Sequence, residues 1–147
     1  MKIDSLMRVM AIDYGDSRTG VAVSDLSATI VGDAWVIHEK NQTKVLLTVA
    51  SEAAARNVGT IVIGHPRNMN GTIGPRARKS EQIAELLREL SSFDVVLWDE
   101  RMTTVSAFRV LDDVGRHGKE RKNAVDAVAA SLILESYLQF LISGKGK

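Results

Sequence analysis

Residues Thr60 to Gly64, TIVIG, form a short uninterrupted apolar run between two stretches with helical spacing. A run of this kind reads as a strand buried on both faces. Such a strand needs helices above and below it, and strand–helix–strand order favours parallel pairing through right-handed crossovers. A second unit of the same kind ends in FDVVLWDE, Phe93 to Glu100. Ahead of both lie Met7 to Tyr14, Thr19 to Ser24 and Thr29 to Ile37, which alternate apolar residues and favour antiparallel hairpins. The expected fold class is α/β: a five-stranded mixed sheet, three antiparallel hairpin strands plus two parallel strands, flanked by helices.

The helical patterns are Asn41 to Asn57, Pro75 to Leu90, a segment capped by Thr103 or Thr104, and a last helix from about Asn123 to Ile142. Pro75 can open its helix because its missing N–H costs nothing there. The segment His65 to Pro75 holds both prolines of the chain and reads as a loop. With 147 residues, 45% of them hydrophobic, the chain suits one domain, expected over 1–142, with 143–147 as a flexible tail. The absence of cysteine excludes a disulfide framework, a thiolate nucleophile and a cysteine-ligated metal. A net charge of +1 neither requires nor forbids an anionic partner. No apolar stretch has signal-peptide or membrane-spanning character, so the expectation is a cytoplasmic protein without a membrane partner.

Acids mark the strand ends. Asp13 closes the first strand, and Asp99 and Glu100 close the last. If those strands are parallel neighbours, the carboxylates meet at one rim, where sites of open sheets collect. Clustered carboxylates repel unless a cation sits among them, and Mg²⁺, with its preference for oxygen ligands, suits such a place. Asp126, at the expected start of the final helix, is the candidate third acid. Arg67, Arg76, Arg78 and Lys79 in and after the loop, and Arg116, Lys119, Arg121 and Lys122 before Asp126, surround this centre with base. Acid within and base around suits a phosphodiester. Each residue has a quieter explanation as well: Asp13 as a turn residue, Asp99 and Glu100 as solvated charges, Asp126 as a helix-start acid after an Asn123 cap, and the bases as solvated faces.

The stretches DYGDSRTGVAVSD, VIGHPRNMNGTIGPRAR, VVLWDERMTTVSA and VDAVAASLILESYL, in that order, resemble the four motif blocks of the bacterial YqgF family, from about Arg8 to Leu138. These are RNase H-like proteins assigned to pre-16S ribosomal RNA processing and also described as Holliday junction resolvase-like. The resemblance implies an RNase H-like fold and a Mg²⁺ or Mn²⁺ site formed by Asp13, Glu100 and Asp126, with Asp99 as a possible helper. It also implies substrate contacts from Arg18, Asn68, Gly71, Thr72, Arg101 and Thr103, to which the basic pattern adds Arg67, Arg76 and Lys122. His65, Arg67 and Asn70 depart from the residues usual in the family and make the loop more cationic. The expected function is a metal-dependent nuclease acting on structured RNA, in ribosomal precursor particles, as a monomer or weak homodimer. The rival readings are a resolvase acting on branched DNA as a symmetric dimer, a nucleotide-binding ATPase or sugar kinase, and a non-catalytic ribosome or transcription factor. The kinase reading requires two such domains, and 147 residues supply one.

Overall fold

The computed structural model describes residues 6–115 and 119–145, the side chains of 112–123 and 145 excepted. Strands β1 (Arg8–Asp13), β2 (Arg18–Ser24) and β3 (Val31–His38) come first. They are followed by α1 (Gln42–Ala55), β4 (Val58–His65), α2 (Pro75–Leu90) and β5 (Asp94–Asp99). A 3-10 turn (Glu100–Met102), α3 (Val105–Gly115) and α4 (Lys119–Lys145) follow. The sheet runs β3-β2-β1-β4-β5, antiparallel among the first three strands and parallel from β1 to β4 to β5. This is the expected five-stranded mixed sheet.

Local chemistry accounts for the element ends. The Asn41 side chain accepts a hydrogen bond from the Lys44 backbone N–H and so caps α1. Pro75 occupies the first turn of α2, as its sequence position predicts. Both parallel strands differ slightly from expectation. β4 extends beyond Thr60–Gly64 at each end, because Val58 pairs with Arg8 of β1 and His65 with Asp99 of β5. β5 stops at Asp99, whose side chain accepts from the Arg101 N–H and turns the chain into the 3-10 helix.

The final helix needs more correction. It starts at Lys119 rather than Asn123, so Asp126 lies two turns inside it and Asn123 is not its cap. At the other end, residues 143–145, expected in a flexible tail, continue the helix.

Two apolar layers enclose the sheet. On one face Met10, Ile12, Val21, Val23, Ile61 and Ile63 pack against Val45, Leu46 and Val49 of α1 and Ile83 and Leu87 of α2. On the other, Val9, Ala11, Ala22 and Val62 meet Ala129, Ala130, Ile133, Leu134 and Leu138 of α4, with Val105 of α3 beside them. Small residues face each other across this second layer, which lets α4 lie close to the strands. The segment Ala124–Gly144 is long and apolar enough to cross a membrane by length and composition alone. Here its apolar side chains form one wall of the core.

Candidate active site

The parallel register carries Asp13 and Asp99 to the same edge of the sheet, where Ile12 pairs with Ile63 and His65 with Asp99. Asp13 points to the α4 face in phase with Val9 and Ala11 and is 8% exposed. Glu100, one residue beyond β5, turns inward and is 3% exposed. Between them stands Gly64. A Cβ there would lie 2.6 Å from Glu100 Oε2 and 2.7 Å from Ile133 Cδ1, so the missing side chain provides the space that the glutamate occupies.

On the other flank of Asp13, its antiparallel partner is Gly20. A Cβ at that position would collide with the backbone carbonyl oxygen of Asp126. Two glycines thus hold the third acid and Glu100 close to Asp13: one admits the backbone of α4, the other the carboxylate of Glu100.

Arg109 of α3 joins the two buried acids. Its Nη2 donates to Asp13 Oδ1 at 2.8 Å and its Nη1 to Glu100 Oε1 at 3.1 Å. Burial pushes the Asp13 carboxyl above its ordinary pKa, against the pull of Arg109, and nearby Asp126 adds to the rise. Glu100 is raised in the same way, by burial first, with Asp13 contributing repulsion and Arg109 opposing. Burial disfavours the Arg109 cation, but the two carboxylates outweigh it and raise its pKa. Arg76 at the start of α2 also acts on both acids through its charge.

Asp126 is turned to Arg18, whose Nε donates to it at 2.6 Å. Among the described residues, no three His, Cys, Asp or Glu side chains are gathered closely enough to hold a metal ion together. The structure therefore brings Asp13 and Glu100 together and sets Asp126 beside them in an ion pair. Asp99 stays outside this pair. It accepts from the Arg101 backbone N–H at 2.9 Å and from the guanidinium at 2.8 Å, and bonding to that side chain lowers its pKa.

The remaining expected residues build the surroundings. Arg101 reaches from Asp99 to the Met69 carbonyl at 3.5 Å and lies against Gly71, which has a positive φ of 88°. Asn68 donates from its side chain to Thr72 Oγ1 at 2.8 Å, and the Asn68 N–H bonds to the Thr72 carbonyl at 3.0 Å, closing the loop on itself. Thr103 Oγ1 donates to the Glu100 carbonyl at 2.6 Å and accepts from the Val105 N–H at 3.1 Å, pinning the Glu100 turn to the start of α3. Arg67 Nε donates to His65 Nδ1 at 3.2 Å, so the ring hydrogen sits on Nε2 and is accepted by Glu81 at 2.8 Å. The side chain of Lys122 lies outside the described residues.

An oxygen-only pair of buried carboxylates, repelling each other and already drawing in one cation, fits a hard divalent ion. Residues 7–140 match the RuvX family, described as Holliday junction resolvase. The chain belongs to the RuvX family. A relative from Ruminiclostridium cellulolyticum, named "Putative pre-16S rRNA nuclease", is 40% identical over 140 residues, covering 95% of this chain and 99% of its own. One of the same name from Thermoanaerobacter pseudethanolicus is 43% identical over 135 residues, covering 90% and 96%. Among solved structures, RuvC from Thermus thermophilus in complex with a Holliday junction substrate matches with a TM-score of 0.58 at 11% identity, covering 91% of this chain and 96% of that one. That likeness shows the shared RNase H-like fold.

Within this RuvX chain, sequence reasoning did not reach Arg109. It stands in an amphipathic helix among residues such as Val110 and Leu111, where an arginine reads as a solvated charge. The clearance roles of Gly20 and Gly64 were also missed. A glycine within an apolar strand is the signal that a backbone or side chain comes close, and both positions carry it.

Proposed function

We propose that this protein is a metal-dependent nuclease that hydrolyses phosphodiester bonds, with Asp13, Glu100 and Asp126 holding Mg²⁺ or Mn²⁺. The observation that carries this reading is the buried Asp13–Glu100 pair at the C-terminal rim of the parallel strands, with Asp126 beside it and cationic side chains around it. A divalent ion bound there would polarise the phosphoryl oxygen and favour attack by water.

The chain's own residues do the rest. Asp13 and Glu100 are held by β1 and the 3-10 turn, and the desolvated setting strengthens the pull of the ionised pair on a cation. Arg76, on the first turn of α2, and Arg67, fixed by His65, would take backbone phosphates at the rim, and Lys122 would add a further contact. The Asp99–Arg101 pair positions the loop that carries Arg67 and Asn68, which makes Asp99 a positioning residue in this reading.

Structured RNA, in particular the 5′ region of precursor 16S rRNA, is the favoured substrate, in keeping with the names of the relatives. The setting would be cytoplasmic ribosomal precursor particles, with the chain acting as a monomer or weak homodimer. Branched DNA is the second reading, favoured by the description of the matching family. Cleavage of a labelled precursor 5′ leader and of a four-way DNA junction, side by side in Mg²⁺, Mn²⁺ and chelator, separates the two. We expect metal-dependent RNA cleavage that Asp13→Asn abolishes. Junction cleavage alone would move the assignment to a resolvase. Tight binding without cleavage of either substrate would leave a non-catalytic factor.

A further inference from the structure

We infer that Arg109 is the resident counter-cation of the acid pair, a positioning residue that a divalent metal must displace, and that its release unties α3 from the sheet. The inference rests on the metal-site reading of Asp13 and Glu100.

Shared carboxylate oxygens set the two occupants against each other. Asp13 and Glu100 carry two negative charges when ionised, and Arg109 returns one positive charge through one donor arm to each carboxylate. The planar fork suits this task, since it fixes the spacing and orientation of both acids at once. One negative charge is left without a bonded cation in a place where Asp13 is 8% and Glu100 3% exposed, with Arg76 acting on it only from a distance. A dication in place of the guanidinium brings the pair to neutrality. A dication added beside it would set two cations against each other at contact range, both drawing on Asp13 Oδ1 and Glu100 Oε1. Asp126 would join such an ion only by giving up Arg18, whose Nε it accepts at 2.6 Å, so its charge enters the balance only once that pair opens.

Arg109 also ties down its helix. Val105 at the start of α3 is fully buried, whereas Val110 and Leu111 further along are 63% and 73% exposed. Among the described residues, the side chains of α3 make no hydrogen bond to the rest of the molecule except those of Arg109. Loss of this tie frees the exposed residues Val110 and Leu111 while the Thr103 cap and buried Val105 keep the helix start in place. Metal binding therefore loosens a segment next to the site, the reverse of the protection that a bound ligand ordinarily brings.

The test titrates Mn²⁺ alone into wild type, Arg109→Gln, Arg109→Lys and Asp13→Asn by calorimetry. It also follows amide exchange of residues 105–111 of wild type with and without the ion. Arg109→Gln should bind Mn²⁺ about tenfold more tightly or better, because no charge-assisted bonds have to be broken first. Arg109→Lys, which keeps a charge but not the fork, should fall between, and it serves if the Gln variant folds poorly. Exchange over 105–111 in wild type should quicken on Mn²⁺ binding. Equal or weaker Mn²⁺ binding by both Arg109 variants, or slower exchange in α3 on binding, overturns the inference while leaving the metal site intact. No Mn²⁺ binding by wild type or the Arg109 variants removes the metal-site reading itself and the inference with it.

Discussion

Gly64→Ala tests the architecture of the site with a single methyl group. The new Cβ would stand 2.6 Å from Glu100 Oε2 and 2.7 Å from Ile133 Cδ1, inside normal contact distance of both. Neither neighbour can swing into solvent, since Ile133 is fully buried and Glu100 is 3% exposed. Overpacking of this kind costs about 1–3 kcal/mol. The backbone at Gly64 is not in the left-handed region, so alanine also recovers about 0.4–1 kcal/mol by restricting the unfolded chain. The difference is a net loss of about 0–2.6 kcal/mol, with a midpoint of about 1.3 kcal/mol that lowers Tm by about 4 °C for a domain of this size. Glu100 must absorb part of the shift, and a displacement near 1 Å at a reacting centre costs on the order of 10²-fold in rate. Circular dichroism melts in chelator measure the first effect and RNA cleavage in Mg²⁺ the second. Gly144→Ala, where no atom lies within 4 Å of the added Cβ, is the control and should not lower Tm. A Tm for Gly64→Ala at or above the wild-type value, with undiminished cleavage, would refute the clearance argument.

Two further predictions concern the same corner of the sheet. Gly20→Ala should be more damaging than Gly64→Ala, about 3 kcal/mol, because its Cβ meets the backbone carbonyl of Asp126, which cannot rotate away; denaturant unfolding measures it, and a loss below that of Gly64→Ala would contradict the close approach of α4. The pH dependence has a definite sign. Burial raises the Asp13 and Glu100 pKa values above 3.8 and 4.5, so the folded chain binds protons more tightly than the unfolded one. The stability tied to these groups is present below the unfolded values and is lost as pH rises through the folded ones. Asp13→Asn removes one of the groups and relieves the repulsion on Glu100, so its unfolding free energy in chelator should decline less with pH than that of wild type. An equal or steeper decline in the variant would show that the acid pair is not buried as described.

Much of this fold is legible in local pattern. The apolar run TIVIG, the alternating opening strands and Pro75 each specify their element through short-range chemistry. The convergence of Asp13 with the β5 end followed from parallel pairing alone. What pattern does not disclose is which partner each charge takes. Asp99 and Glu100 are adjacent in sequence, yet one faces Arg101 at the surface and the other is buried against Gly64. The side-chain bond from Asp99 to the Arg101 N–H begins the 3-10 turn that separates them, and a turn of that kind has no periodicity to read. Arg109 and Asp13 are 96 positions apart, and Arg18 and Asp126 are 108 apart, so only tertiary packing pairs them. The start of α4 was misplaced because Asn123 is a plausible cap residue, while helical propensity through KERK carries the helix back to Lys119.

The placement of α4 has a consequence for how the molecule fails. The helix that carries Asp126 also covers Val9, Ala11, Ala22 and Val62, the apolar face of the central strands. The proposed third acid and the cover of the apolar face thus sit on one helix. An opening that lifts the whole of α4, and Asp126 with it, bares this apolar face of the sheet. A damaged copy would be withdrawn by aggregation or proteolysis instead of persisting as an enzyme with altered specificity. For a protein proposed to cut RNA among many essential RNAs, that coupling of activity to integrity acts as a safeguard written into the packing.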